Sequence, residues 1–223
     1  SDVELARAAG LANLKMLEGL IEVVPKNRTL LDLNGKSFAS YAFGFLEANL
    51  EQMDSLSEEY EVLAARTVDF YLRGRRYTGE SLELMYPGFL AAANGSDEGY
   101  EKMLKTIDPI DVSTLFWFGY AWGGAVNLQV EDPAAVIDLP KVVATMKRVV
   151  ELDETTHYGS AHLVLGVAQS ALPKALGGDP ESALQHFQRA HEIAEGKYLM
   201  GEVMLARFYH GRANLNQEAF EST

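Results

Sequence analysis

Five histidines and 32 acidic side chains are the groups on this chain that could hold a metal or move a proton, and their spacing argues against both uses. His157 and His162, and likewise His186 and His191, stand five residues apart. Two metal ligands on one helix face need a separation of three or four. The offset turns the two rings of each pair away from each other, so these histidines are read as exposed or satisfied by neighbours, and no metal site is expected. Glu58 with Glu59, and Asp153 with Glu154, are adjacent in sequence and face different directions. That excludes a paired acid and base and fits charges at helix ends. The chain has no cysteine, which excludes disulfides, thiol catalysis and cysteine zinc sites. No HExxH, phosphate loop or nucleophile elbow occurs, so neither catalysis nor a cofactor is expected.

The residues best suited to recognition are aromatic. Phe116, Trp117, Phe118, Tyr120 and Trp122 fall within seven positions and cover more than one face of a helix, so some of them turn away from the nearest helix partner. Two readings stand: a central helix buried all round, or a wall lining a cavity, groove or subunit contact. Tryptophan and tyrosine seek a hydrogen-bond partner at one edge, which suits a half-wet pocket or interface. The candidate ligand- or pore-lining residues are Phe116, Trp117, Tyr120 and Trp122, joined by Tyr41 and Phe45 from an equivalent earlier unit. A net charge of −13 repels phosphate backbones, so nucleic acid is not an expected partner. The dense basic cluster Arg73, Arg75 and Arg76 has no stacking platform beside it and reads as a solvated helix end.

The elements that position these residues are helical throughout. Hydrophobic residues make up 48% of the chain and charged ones 23%, with Ala, Leu, Glu and Met outweighing strand-forming runs, so the fold class is all-α with no sheet. A helix from Val3 to Val24 carries Leu5, Leu14, Leu17, Ile21 and Val24 on one stripe and ends before Pro25. Further helices are expected from Arg28 or Thr29 to Met53, Ser55 to Arg76 with Leu63, Val68, Tyr71 and Leu72 inward, and Gly79 to Ala93 with an interruption near Pro87. Asp97 to Asp108, Asp111 to Asn127, Lys141 to Leu152, Thr155 to Leu172, Glu181 to Ala194 and Tyr198 to Gly211 follow, and Asn216 to Ser222 starts one more, about nine to eleven in all. Pro133 and Pro140 bracket a connector. The longest apolar stretches, such as Leu115 to Leu128, are too short and glycine-rich for the ~20 apolar residues of a bilayer span, and the amino terminus does not read as a signal peptide.

A repeat organises these helices. A small residue follows a hydrophobic helix face four times, at Gly35, Gly119, Gly166 and Ala206, where a larger side chain would hold two helices apart. Pro25 and Pro109 stand ten residues before the first two, and Phe38 and Trp122 three residues after them. Ala183, Phe187 and Ala190 repeat the small, aromatic, small spacing of a second tetratricopeptide (TPR) helix, and Tyr209 takes the aromatic position after Ala206. The intervals between the small residues are unequal, so no strict 34-residue period exists. The expectation is a single TPR-like domain over 1–223, with irregular units at about 3–53, 97–128, 140–172 and 180–211.

At Gly177, Gly178, Asp179, Pro180, Glu181, Ala183, Phe187 and Ala190, the chain resembles the TatT family, the TPR-containing accessory lipoproteins of certain TRAP-type transporters. The resemblance extends to Ser40–Leu46 (SYAFGFL), Phe116–Leu128 (FWFGYAWGGAVNL), and the run from Lys197 through Leu205, Ala206, Arg207, Phe208 and Tyr209. It implies a periplasmic, non-enzymatic scaffold, tethered through a lipidated cysteine, that forms a homotrimer and docks the transporter's solute-binding subunit. An apolar passage relaying a small hydrophobic solute is the accompanying expectation. This chain lacks an amino-terminal cysteine and stops at Thr223, where relatives continue with further helices, and both departures suggest trimming. The alternative is a stand-alone small-molecule-binding helical protein with the aromatic cluster as its pocket.

Overall fold

A computed structural model describes residues 1–170 and 178–208. These residues are helical and contain no strand. The chain divides into two compact units, Ser1–Thr106 with Trp117–Gln129, and Ile107–Phe116 with Val130–Thr223. Tyr209, Gly177 and the expected helix from Asn216 to Ser222 lie outside the described residues, as do the final residues expected for the helices ending at Leu172 and Gly211.

The first unit is built on α1 (Asp2–Val23), α2 (Arg28–Tyr41) and, after a short α3, α4 (Glu58–Met85). Ser1 opens α1 by accepting a hydrogen bond from the Glu4 amide, and Asp2 and Glu4 place negative charge on the positive end of the helix dipole. Leu14, Leu17 and Ile21 face the core, but Leu5 is 71% exposed and Val24 44%. The stripe expected over the whole helix is thus buried only in its middle and latter part. Asn27 and Ser57 cap α2 and α4 by accepting from the Leu30 and Tyr60 amides. Where α2 crosses α4, two glycines meet. A Cβ on Gly35 would stand 2.6 Å from Thr78 Cγ2 and 2.9 Å from the Gly74 carbonyl oxygen, so any side chain there must push the helices apart. Phe38 fills the space beside this crossing, with Phe70 and Tyr77 at 5.3 and 5.9 Å between ring centroids.

After Tyr41 the helix widens into a π-helical turn, Ala42–Glu47, and closes with one α turn, α3 (Ala48–Leu50). Such a turn inserts a residue into the register, and here it turns Leu46 and Glu47 into the core. Helix α4 runs unbroken through the break expected between Arg76 and Gly79. Gly79 is no terminator: a Cβ there would meet Leu90 at 2.8 Å and Phe118 at 3.1 Å, so the glycine is a packing notch in a continuous helix. Leu72, expected inward, is 44% exposed. Gly88, at φ 92°, turns the chain into α5 (Phe89–Ala93), and the Glu83 carboxylate accepts from the Gly88 and Leu90 amides at 2.8 Å each. Ser96 caps α6 (Asp97–Leu104) by accepting from the Gly99 amide.

Helix α7 (Val112–Leu128) follows a 3-10 turn at Pro109–Asp111 and contributes to both units, changing membership after Phe116. Gly119 is buried in it. The second unit continues through α8 (Pro133–Val136), α9 (Leu139–Asp153), α10 (Ser160–Ser170), α11 (Pro180–Ala194) and α12 (Met200–Met204). Pro133 and Pro140 do not bracket an open connector; each sits in the first turn of a helix, where its missing N–H costs nothing. Asp179 caps α11 by accepting from the Ser182 amide, and Ala183, Phe187, Ala190 and Ala194 form its buried face. Gly166 of α10 lies under the Phe187 ring, 2.8 Å from where a Cβ would stand. Gly178 is buried and Ala206 half-buried.

The helix expected from Thr155 begins only at Ser160. His157, Tyr158 and Gly159 lie in the left-handed region, at φ 51°, 58° and 73°, and form a turn. Asp153 fixes its entry by accepting from the Thr155 amide and hydroxyl at 3.0 and 2.7 Å and from the Thr156 hydroxyl at 3.0 Å.

Candidate functional site

Within the first unit, the aromatic residues sort into a wet set and a dry set. Trp117 and Tyr120, one helical turn apart on α7, pack edge-to-face at 5.4 Å and are both half-buried. Phe43, from the π-helical turn, meets Tyr120 edge-on at 6.3 Å, and the Lys36 ammonium lies 5.5 Å from the Trp117 ring centre. Trp122, by contrast, is 2% exposed, packed against Phe118 and Tyr100 and covered by the Arg75 guanidinium at 3.9 Å. It is core. Tyr41 is buried, beside half-buried Phe45 at 4.9 Å, and its hydroxyl donates to the Arg7 carbonyl. Gly10 makes room for the Tyr41 ring, since a Cβ there would stand 2.9 Å from it.

Behind the wet set lies a buried polar group that sequence spacing did not single out. The Tyr71 hydroxyl donates to Glu47 Oε1 at 2.5 Å and is also hydrogen-bonded with Tyr120. Burial, then the neighbouring Glu47 carboxylate and Tyr120, pushes the Tyr71 hydroxyl well above its ordinary pKa, so it stays a proton donor at any physiological pH. Gly124 admits the Tyr71 ring, which would stand 2.6 Å from a Cβ. The signal available in the sequence was the glycine pair following Trp122, but the ring it receives comes from a different helix, far back in the chain. The half-exposed rings offer a flat apolar surface, while Tyr71 and Glu47 behind them are buried and hydrogen-bonded to each other.

The Arg73, Arg75 and Arg76 cluster does not form an anion site. Arg73 pairs with Glu18 and Asp69, Arg76 with Glu80, and Arg75 covers Trp122.

In the second unit, Phe116 is 2% exposed and packs on the His157 ring at 4.7 Å, while His157 Nε2 lies 3.0 Å from the Ser113 hydroxyl. The histidines pair across helices. His162 of α10 and His186 of α11 approach Nδ1 to Nδ1 at 2.9 Å, and His162 Nε2 faces Glu154 at 3.4 Å. Their ring centroids stand 5.2 Å apart, the nitrogen separation plus the two ring radii, so the rings meet head-on. That geometry shares one proton between the two nitrogens. With the His162 Nε2 proton given to Glu154, His162 Nδ1 accepts and His186 Nδ1 donates. Burial first, and then His162 and Lys147, lowers the His186 pKa to about 4. Arg189 holds Glu154 in a fork at 2.5 and 3.1 Å, and this hydrogen bonding keeps the Glu154 carboxyl below its usual range. Among the described residues, no group of three or more His, Asp or Glu side chains is placed to hold a metal ion.

No helix among the described residues is long and apolar enough to cross a membrane. An uncharacterized protein of Treponema pallidum (strain Nichols) is 28% identical over 190 residues, covering 84% of this chain and 58% of that relative. The chain therefore spans somewhat over half the length of the curated relative it matches. The profile of the TRAP transporter T-component family matches residues 1–223, the whole chain, and the protein belongs to that family.

Proposed function

We propose that this protein is a non-enzymatic periplasmic scaffold of a TRAP-type transporter, docking the solute-binding subunit and handing on a small hydrophobic solute. The family match over the entire chain supports the transporter role. One structural observation carries the solute role: Trp117, Tyr120 and Phe43 keep aromatic surface half-exposed while Glu47 and the Tyr71 hydroxyl are held behind them. A monomer that needed these rings only for its core would bury them, as it buries Trp122 and Phe116. The docking surface belongs to a TPR-like arrangement, in which glycine-notched helix pairs stack. The homotrimer and the lipid anchor of the full-length protein are part of the same proposal.

A fluorescent apolar probe titrated into the isolated protein tests the solute role. Trp117→Ala and Tyr120→Ala are expected to weaken probe binding by about tenfold or more, whereas Phe45→Ala, on a different ring pair, leaves it within about twofold. Unchanged affinity in folded Trp117→Ala protein overturns the assignment of these rings.

A further inference from the structure

The left-handed turn between α9 and α10 carries an exposed aromatic side chain. His157 and Tyr158 are non-glycine residues in consecutive left-handed conformations, a state that L side chains resist and that persists only where the surroundings over-determine it. Here they do. Asp153 fixes the entry, the Ser160 hydroxyl donates to the His157 carbonyl, and the His157 ring is held by Phe116 and the Ser113 hydroxyl. Gly159, at φ 73°, packs on Ile193 of α11, where a Cβ would stand 3.1 Å from Cδ1.

None of these contacts involves the Tyr158 ring. It is 55% exposed and stacks on Tyr198, with centroids 5.5 Å apart and planes 23° from parallel. Tyr198 is delivered by a second left-handed turn, Glu195 at φ 49° and Gly196 at φ 71°, at the carboxyl end of α11. Two separate irregular turns thus bring two tyrosine rings face to face at the surface. The chain after Tyr198 continues the apolar exposure with Leu199 at 70% and Val203 at 52%. A ring pair needed for stability would be buried, and a turn needed only to connect α9 to α10 would use glycine or asparagine at position 158.

We infer that the Tyr158–Tyr198 pair is the anchor of a protein-docking surface, and that its occupant is a basic partner surface that lays an arginine guanidinium on the exposed tyrosine face. Tyrosines give large contact area at low entropic cost and are enriched at interface centres. Guanidinium groups stack on their faces. The net charge of −13 steers a cationic surface toward this chain. This inference rests on the docking role proposed above and names where that docking occurs.

Asparagine tolerates the left-handed conformation, so Tyr158→Asn removes the ring and relieves the backbone together. The purified transporter solute-binding subunit serves as the probe in a titration against wild type, Tyr158→Asn, Tyr198→Ala and Tyr158→Phe. Tyr158→Asn is expected to melt no lower than wild type yet bind about ten- to a hundredfold more weakly, the loss an interface tyrosine typically brings. Tyr198→Ala should lose a similar amount, Tyr158→Phe should keep most of the affinity, and added salt should weaken the wild-type complex. Wild-type binding that survives Tyr158→Asn unchanged, or that ignores salt, overturns this surface while leaving the docking role standing. A wild-type protein that does not bind the subunit overturns both. Self-association of the protein alone that disappears in Tyr158→Asn assigns the face to a second copy and contradicts a basic partner.

Discussion

For single residues, proton inventory is the most informative quantity. The head-on His162–His186 contact accommodates one shared proton, and a second on the facing nitrogens would set two N–H groups 2.9 Å apart. Both histidines have pKa values lowered first by burial, His186 to about 4 against an ordinary 6.5. The unfolded chain therefore binds more protons than the native one between those values. The contribution of this histidine pair is full above pH 6.5 and is lost as pH drops toward 4. Thermal melts from about pH 7.5 to about pH 4 are expected to show a decline of several degrees that His186→Phe flattens, and an unchanged slope in that variant would contradict the assignment. In the first unit, Tyr71→Phe keeps the ring against Gly124 but takes one donor from the buried Glu47 carboxylate. Denaturant unfolding should show a loss of about 1–3 kcal/mol. Neither contact was legible in the sequence. The histidines are 24 positions apart and Tyr71 is 24 positions from Glu47, while the spacing rule used for metal ligands compares only residues on one helix.

Among the elements, glycines separate two physical roles. Gly35 sits at the α2–α4 crossing against Thr78 and the Gly74 carbonyl, whereas Gly19, on α1, has nothing within 4 Å of where a Cβ would stand. Gly35→Ala is expected to cost about 1–3 kcal/mol by overpacking, and Gly19→Ala to add about 0.5–1 kcal/mol by helix propensity, both read from denaturant unfolding. Equal effects from the two substitutions would mean that the crossing is not tightly packed. This contrast also explains which elements the sequence made visible. The helix starts expected at Ser55, Asp97 and Glu181 fall close to the observed ones because the caps there, Ser57, Ser96 and Asp179, are local, and the Ala183, Phe187, Ala190 face of α11 follows from its own spacing. Gly79 misled because a glycine that breaks a helix and one that admits a neighbour look alike until the neighbour, Phe118, is known. The left-handed turn at His157–Gly159 was hidden for a related reason: it is held by Asp153, Phe116 and Ser113, and only Asp153 is close in the chain. The half-exposed state of Trp117 and Tyr120 beside the burial of Trp122 was equally unreadable, since all three sit on one apolar helix that offers no polar face to orient it.

For the molecule as a whole, the acidic surface and the transporter family converge on association. A net charge of −13 leaves attraction to basic surfaces as the long-range force, with a range set by the Debye length of about 8 Å at physiological salt. The chain belongs to the T-component family, and the proposed docking gives its half-exposed aromatic rings a role within that family. The proposed function stands or falls on that partner being the solute-binding subunit. The decisive measurement is sedimentation velocity of the protein alone, and then mixed with that subunit at low salt. A self-assembled species that moves to a larger sedimentation coefficient on mixing is the expected result. Two boundaries that sediment independently, each unchanged from its isolated form, would contradict it.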